Sequence, residues 1–370
     1  MQILRFIPAR RLFSLLVFLM PGACVLRAAT PPSQGTDQGT LVSRESIEKT
    51  QTQAEAGDAA AQESLGRAYE KGSGVPQNFG KAVAWYRKAA EQGNADGAAD
   101  LGVMYRLGLG VDKNLEEAVR WHRKSAKQQN PIAMFNLAAS YFNGEGVPPD
   151  DVLAYAWFLL AEKAGSNPAK DGVQRLTASL RNAERAEAFQ RIAEMYENGE
   201  ELPQNYSEAA SWYGKAADAG SLSSGVRLAS LLLVSKSVPA DYERARDLCK
   251  RAAEKNYPPA MFCLGVIYEQ GQGLAADQVA AAKWFTRAAD GQFAPAVYHL
   301  ARLYLKGQGV KQNKVTAYTY FLLLANPSQE IEAERAQLKA ELSPKELEKA
   351  KKDATEWSRK HPPLGLVTHR

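Results

Sequence analysis

The chain has 370 residues, of which 45% are hydrophobic and 24% are charged, so it can bury a large core and is not disordered throughout. The formal net charge is +5, but residues 1–29 contain four arginines and no acidic residue, which leaves +1 for the remainder. A nearly neutral chain lacks the basic surface that nucleic-acid binding requires, so nucleic acid is excluded as a partner.

Residues 1–29 have the pattern of an export signal. Arg5, Arg10 and Arg11 precede the apolar run 12–20, and Pro21 then breaks that run. The run is too short for a membrane span, which takes about 20 residues. We therefore expect the chain to be exported to the periplasm or the secreted space, or to the endoplasmic reticulum lumen in a eukaryote.

The end of this signal leaves two alternatives open. Ala28 and Ala29 are candidate cleavage positions. Gly22, Ala23 and Cys24 resemble the end of a lipid-attachment box, although Pro21 departs from its pattern. Contact with a membrane is expected only through the signal or such a lipid anchor.

Residues 30–57 are predicted to form a flexible tether followed by an N-terminal capping helix. The stretch 30–42 is rich in Pro, Gly, Ser, Thr and Gln, which is typical of a linker. Ser43 to Ala56 then favours a helix, and Gly57 precedes Gly93 by the same spacing that separates the repeats described next.

One period of 36 residues governs most of the remaining chain. Trp85, Trp121 and Trp157 are 36 apart, and a second series of four copies has the same spacing. Within each copy the apolar residues recur every three or four positions, which predicts two amphipathic helices. Glycines between the two helices supply the positive φ of a tight turn. The tryptophan positions of the second series are Trp212, Leu248, Trp284 and Tyr320.

The two helices of a copy have constant apolar positions. Alanine stands three residues before the tryptophan position in all seven copies, where it lets helix axes approach closely. The first helix carries a leucine or isoleucine at the matching core position. These residues are Leu65, Leu101, Leu137, Ile192, Leu228, Leu264 and Leu300, with Ala82, Ala118, Ala154, Ala209, Ala245, Ala281 and Ala317 on the second helix.

These signatures, L-G-x-x-Y, G-x-G-V and A-x-x-W-Y-x-K-A-A, resemble the Sel-one-like repeat, a relative of the tetratricopeptide repeat, over residues 58–325. The resemblance implies an all-α fold, a right-handed α-α superhelical solenoid of about seven helix–turn–helix repeats with helical caps. Copy five departs most, since Leu232, Leu248 and Cys249 replace aromatics and its turn has no glycine pair.

The copies form two blocks. Repeats one to three with a helical coda are assigned to residues 58–187, and repeats four to seven to residues 188–325. Residues 326–370 are predicted to contain C-terminal capping helices and a tail. Ser343 is expected to cap the last helix, with Glu346 closing a capping box.

No catalytic, metal-binding or cofactor-binding residue is predicted, and we expect a chain that is not an enzyme. The lone His122 is interpreted as a packing residue. Cys249 and Cys263 fall on adjacent helices, and the sequence leaves open whether they form a disulfide or remain thiols. Some secreted family members are cysteine-rich and are credited with binding or hydrolysing β-lactams, but this chain lacks their regular cysteine pairs.

Partner binding is assigned to the face of each first helix that lies about 200° from its core leucine. This face holds positions 63, 67 and 70 and their equivalents, which line the concave groove in the tetratricopeptide fold. The resemblance thus implies a scaffold that binds a protein or peptide in its groove, with a cell-wall glycan as the alternative ligand; burial by superhelical curvature is the competing interpretation. The predicted partner-binding residues are Arg106, Phe135, Phe142, Leu233, Phe262, Glu269, Tyr298 and Arg302.

Overall fold

The structure is a computed structural model that describes residues 37–361, and the side chains of residues 46–361. All regular secondary structure within these residues is α-helical, in eighteen helices. Their bounds are α1 (Asp37–Glu55), α2 (Ala59–Lys71), α3 (Phe79–Glu91), α4 (Ala95–Leu107), α5 (Leu115–Ala126), α6 (Pro131–Asn143), α7 (Asp151–Lys163), α8 (Ala169–Ser179), α9 (Asn182–Asn198), α10 (Tyr206–Asp218), α11 (Leu222–Val234), α12 (Tyr242–Glu254), α13 (Pro258–Gln270), α14 (Gln278–Asp290), α15 (Ala294–Lys306), α16 (Lys314–Leu322), α17 (Gln329–Glu341) and α18 (Pro344–Lys360).

Seven helix pairs correspond to the seven copies, which confirms the all-α, helix–turn–helix prediction. The pairs are α2–α3, α4–α5, α6–α7, α9–α10, α11–α12, α13–α14 and α15–α16. Helix α1 precedes the first pair, α8 follows the third, and α17 and α18 follow the seventh.

Polar caps and glycines define the helix ends. Asp58 Oδ1 accepts a hydrogen bond from Ala61 N at 2.7 Å, which satisfies one of the free N–H groups of the first turn of α2. The same helix ends at Gly72, whose φ of 71° lies in the left-handed region. Asn, Asp or Ser side chains cap most of the other repeat helices in the same way.

The second glycine of the turn allows neighbouring repeats to approach. Gly110 has a φ of 70°, and a Cβ atom there would lie 2.3 Å from the backbone carbon of Phe79, at the start of the second helix of copy one. Copy five has Ser237 at this turn position, and Ser207 Oγ donates to its carbonyl at 3.2 Å. In copy five a side-chain hydrogen bond therefore joins this turn to the neighbouring repeat.

The core leucines and alanines of the repeat are buried throughout, whereas the tryptophan position varies. Trp121 and Trp157 are buried, but Trp85 and Trp284 are half-buried beneath Lys88 and Arg287. The residue that follows the tryptophan position is buried in every copy, and we call it the buried slot. Its occupants are Tyr86, His122, Phe158, Tyr213, Cys249, Phe285 and Phe321.

The described chain divides into two compact units. Unit one holds α1–α8 together with Glu201–Pro203, and unit two holds α9–α18. The change of unit lies between Leu180 and Arg181, before α9, and the domain bounds at residues 187 and 188 stay a prediction. The backbone N–H of Arg181 donates to Glu184 Oε2 at 2.8 Å, and this contact begins α9 earlier than the alanine-rich pattern indicated.

The two ends of the described chain carry the caps. Helix α1 begins at Asp37 rather than Ser43, so residues 37–42 are helical and are not part of a tether. Ser343 and Glu346 form the predicted capping box of α18, and this helix packs against α16. The export signal, residues 30–36 of the tether and residues 362–370 of the tail lie outside the described residues.

Candidate partner-binding surface

The first-helix row, positions 63, 67 and 70 with their equivalents, is half-buried for most of its length. Glu63, Ala99 and Val103 are buried, while the others keep part of their surface in solvent. The row residues are Glu63, Arg67, Glu70, Ala99, Val103, Arg106, Phe135, Ala139 and Phe142 in unit one, and Gln190, Glu194, Glu197, Val226, Ser230, Leu233, Phe262, Val266, Glu269, Tyr298, Arg302 and Leu305 in unit two.

The eight predicted partner-binding residues are all half-buried, and each unit carries its own set. Unit one holds the first three, which are Arg106, Phe135 and Phe142, and unit two holds the other five. Packing against the buried slot explains why the aromatic members are not fully exposed. The Phe135 ring lies 5.6 Å from that of Phe158, and the Phe262 ring lies 5.5 Å from that of Phe285.

Copy one fills its row with a charged network. Arg67 forms ion pairs with Glu63 at 2.5 Å and with Asp100 of copy two at 3.3 Å. The Tyr86 hydroxyl rises from the buried slot and donates to Glu70 Oε2 at 2.5 Å. Burial raises the pKa of Asp100 to about 7, against the lowering effect of Arg67, and Glu63 and Glu70 add to the rise.

In copy two, Arg106 and His122 stand at the positions that Glu70 and Tyr86 hold in copy one. His122 is fully buried, and neither ring nitrogen has a hydrogen-bond partner among the described residues. Burial, with a smaller effect of Arg106, lowers the pKa of His122 to about 3. The buried Nε of Arg106 also has no partner within residues 46–361. Copy two therefore holds a neutral imidazole beside an arginine.

Copy three is apolar at the same three positions. Phe135 and Phe142 lie on either side of Ala139 on α6, and Phe135 packs against Phe158 of the buried slot. Leu107, which follows Arg106 at the end of α4, is 46% exposed. Unit one therefore changes from charged to apolar along its row.

Copy four, in unit two, returns to the charged pattern of copy one, and Arg227 of copy five contacts its row glutamate. The Tyr213 hydroxyl donates to Glu197 Oε2 at 2.6 Å, and Arg227 forms an ion pair with the same carboxylate at 2.7 Å. In copy five, Leu233 is half-buried and lies next to Val234, which is 74% exposed.

A disulfide joins copies five and six. Cys249 occupies the buried slot of α12, and Cys263 lies on α13 one residue after Phe262 of the row. Their Cα atoms are 6.3 Å apart. The structure thus decides between the two states that the sequence left open.

Copies six and seven form an aromatic cluster around His299. Its ring lies 5.1 Å from Phe262, 4.8 Å from Phe285 and 6.1 Å from Tyr298. His299 Nδ1 is 3.5 Å from Glu269 Oε2. These rings therefore contact one another within unit two, and Phe262 and Tyr298 stay half-buried.

Tyr298 and Arg302 form a pair of their own. The guanidinium of Arg302 lies 5.7 Å from the Tyr298 ring centroid, and its Nη1 donates to the Tyr298 hydroxyl at 3.4 Å. That hydroxyl donates in turn to Glu334 Oε1 of α17 at 3.3 Å. The predicted Arg302 is therefore engaged within the chain.

Neither metal ligands nor a membrane span is found in the part of the chain that the structure describes. No group of three or more His, Cys, Asp and Glu side chains is placed to hold a metal ion within residues 46–361. No described helix combines the length and the apolar character that are needed to cross a bilayer.

The contact between the buried slot and the first-helix row was not predicted from the sequence. In copies one and four its tyrosine hydroxyl binds the acid of the first-helix row, sixteen residues earlier in the chain. That spacing is the signal that could have been recognised, since Glu70 and Tyr86 are separated by the same number of residues as Glu197 and Tyr213. The period alone gives no reason to pair them.

A family profile described as Sel1 repeat matches more than half of the chain. The matched segments are residues 59–94, 95–130, 131–166, 186–221, 226–257, 258–293 and 294–326. No curated protein matches this sequence.

Two solved structures are similar to this chain. One is c5321, a protective antigen present in uropathogenic Escherichia coli strains that displays an SLR fold; it is 28% identical, with a TM-score of 0.46, over 87% of this chain and 73% of that chain. The other is a Sel1 repeat protein from Oxalobacter formigenes, which is 25% identical, with a TM-score of 0.34, over 86% of this chain and 82% of that chain.

Proposed function

The chain belongs to the Sel1 repeat family, and from that premise we propose that it is an exported, non-catalytic adaptor that binds an extended segment of a protein partner along its first-helix row. Sel1 repeat proteins are generally protein-interaction scaffolds and are typically non-catalytic. Our proposal adds to this family role an exported location, an adaptor function and the first-helix row as the binding surface.

One observation carries this proposal, namely that the frame of the repeat is constant while the row is not. The core leucine and alanine positions are buried in all copies. The row instead passes from ion pairs around Arg67 to the aromatic pair Phe135 and Phe142, which remain partly exposed. A surface that varies on a constant frame is the part of a repeat array that can select a partner.

A protein segment fits this row better than the glycan alternative. A sugar ring binds to the open face of an aromatic side chain. The Tyr298 ring has Arg302 over it, and Phe135 and Phe262 pack at an angle against rings of the buried slot. Short apolar and charged side chains of a peptide can instead contact the edges that remain exposed.

The binding role is tested by replacing the aromatic residues of one unit at a time. We expect Phe135→Ser with Phe142→Ser, or Phe262→Ser with Tyr298→Ser, to abolish the recovery of native cross-linked partners from envelope extracts. The matched control is Val279→Ser, which alters a 52% exposed apolar side chain outside the row. Reduced thermal stability with unchanged partner recovery would show that the row is core, as the curvature interpretation holds.

Export is supported by the pattern of residues 1–29 and by the disulfide between Cys249 and Cys263, because disulfides persist in oxidising compartments. We expect residues 1–29 to carry a reporter that is active only outside the cytoplasm. The control fusion replaces Arg5, Arg10 and Arg11 with glutamate. A reporter that stays inactive with the native segment rules out the exported location and leaves the binding role standing.

A further inference from the structure

Arg106 is the charged residue of the first-helix row that has no hydrogen-bond, ion-pair or ring partner among the described residues. Arg67 pairs with Glu63 and Asp100, and Arg302 contacts Tyr298. The acids of the row accept hydrogen bonds from Tyr86, Tyr213 and Gln190, or lie beside His299. Arg106 has neither an acidic partner nor a hydroxyl partner within residues 46–361.

The buried slot beneath Arg106 explains this isolation. In copies one and four the slot holds a tyrosine that donates to a row glutamate. Copy two has Arg106 in place of the glutamate and His122 in place of the tyrosine. A cationic donor therefore stands where the other two copies have an acceptor. His122 is fully buried and uncharged, and it cannot supply the negative charge that Arg106 lacks.

Two independent features mark the position as incomplete. The Nε atom of Arg106 is buried without an acceptor, and both ring nitrogens of His122 are buried without partners in the described chain. Charged donors that lose water and gain no acceptor are costly in a folded protein. A carboxylate that binds the exposed end of the guanidinium would offset its uncompensated charge through charge-assisted hydrogen bonds.

The neighbouring row positions define what else such a ligand carries. Leu107 exposes 46% of its surface beside Arg106, and copy three continues the row with Phe135 and Phe142. Because the row extends into copies one and three on either side of Arg106, an extended segment presents a side chain to Arg106 rather than its terminus.

We propose that copies two and three bind an acidic–apolar peptide segment, in which an aspartate or glutamate side chain pairs with Arg106 and an adjacent apolar side chain contacts Phe135 and Phe142. This inference rests on the proposed adaptor function and names the chemical class of its partner. Charge complementarity selects the acid, and the aromatic pair selects its apolar neighbour.

The test selects phage-displayed random dodecapeptides on the full-length chain and measures the binding of the recovered peptides to variants. We expect the recovered sequences to pair an acid with an apolar residue. Arg106→Gln should weaken them by about tenfold or more, since hydrogen bonds to charged groups contribute that much. Arg106→Lys should retain part of the affinity, and the matched control Arg302→Gln should retain all of it.

Thermal melting separates binding from folding: Arg106 has no partner to lose, so Arg106→Gln should melt at or above the temperature of the native chain. A charge reversal sharpens the result, because selection on Arg106→Glu should recover basic peptides instead. Peptides that lack acids, or that bind Arg106→Gln as tightly as the native chain, overturn the inference. If peptides of that kind no longer bind Phe135→Ser with Phe142→Ser, the adaptor function stands although the inference about Arg106 fails. If no peptide is enriched, the adaptor function and the inference are both contradicted.

Discussion

Unit one and unit two are built from the same helix pair, yet different chemistry joins their neighbouring repeats. In unit one an arginine on the second helix of copies one and two reaches the first-helix tyrosine of the next repeat. Arg87 donates to the Tyr105 hydroxyl at 2.8 Å, and Arg123 donates to the Tyr141 hydroxyl at 2.6 Å. These hydrogen bonds hold copies one, two and three together.

Unit two has no arginine at the corresponding positions of copies four, five and six, which are Gly214, Lys250 and Thr286. Copies five and six are instead joined by the disulfide between Cys249 and Cys263. The frame of leucine and alanine therefore specifies the repeat, while the connection between repeats can be polar or covalent. A reductant breaks the disulfide of unit two, whereas a substitution of tyrosine or arginine removes a hydrogen bond of unit one, so the two units can be perturbed separately.

The largest expected effect is the loss of the disulfide in unit two. Its two cysteines are 14 residues apart, and closing a loop of about this size is worth about 3 kcal/mol. Reduction should therefore increase amide hydrogen exchange in α12 and α13 and leave α2–α6 unchanged, as measured by mass spectrometry. The control Cys249→Ala with Cys263→Ala should not respond to reductant. Equal exchange in both redox states would mean that helix packing alone holds these copies.

The second expected effect lies in unit one, at His122. The same slot holds phenylalanine in copies three, six and seven, and Gly102 lies beneath His122 as Gly265 lies beneath Phe285. His122→Phe removes two buried nitrogens without partners, so we expect stabilisation by about 1–3 kcal/mol. Denaturant unfolding of the native chain and the variant, followed by hydrogen exchange in α4 and α5, measures this gain.

The pH dependence of that gain tests its cause. The folded-state pKa of His122, about 3, lies below the unfolded value of about 6.5. The unfolded chain therefore takes up the proton first, and native stability falls as the pH drops from about 6.5 towards 3. His122→Phe should lose this dependence. Asp100 changes stability with pH in the opposite direction, but it does so in both proteins, so its effect cancels in the difference between them. A stability difference that does not change with pH contradicts the assignment of the effect to His122.

Much of this architecture could be predicted from the sequence, because it depends on local periodicity. The 36-residue spacing placed Leu65, Ala82 and their equivalents in the core, and the glycines of the turns marked the helix ends. The start of α1 was missed because Gly39 is a poor helix former and propensity alone favours a tether there.

The candidate site was harder to predict, because its character depends on contacts between helices. The face that carries Arg106 and Phe135 was recognised from the 3.6-residue period. The pairing of Tyr86 with Glu70, and the isolation of Arg106 above His122, require positions in three dimensions. The same is true of the disulfide, since no spacing in the sequence gives the distance between two Cα atoms.

The smallest expected effect concerns the hydrogen bonds of unit one. Tyr105→Phe keeps the ring and removes only the acceptor of Arg87, so the repeats should still pack. Because the bond is partly exposed, we expect a loss of about 1 kcal/mol, measured by denaturant unfolding. Tyr304→Phe is the matched control in unit two, where Thr286 stands in place of the arginine and donates instead to the carbonyl of Ala282. A larger loss at Tyr304 than at Tyr105 would show that the hydroxyl serves the tyrosine's own repeat, and the contrast between the two units would then rest on the disulfide alone.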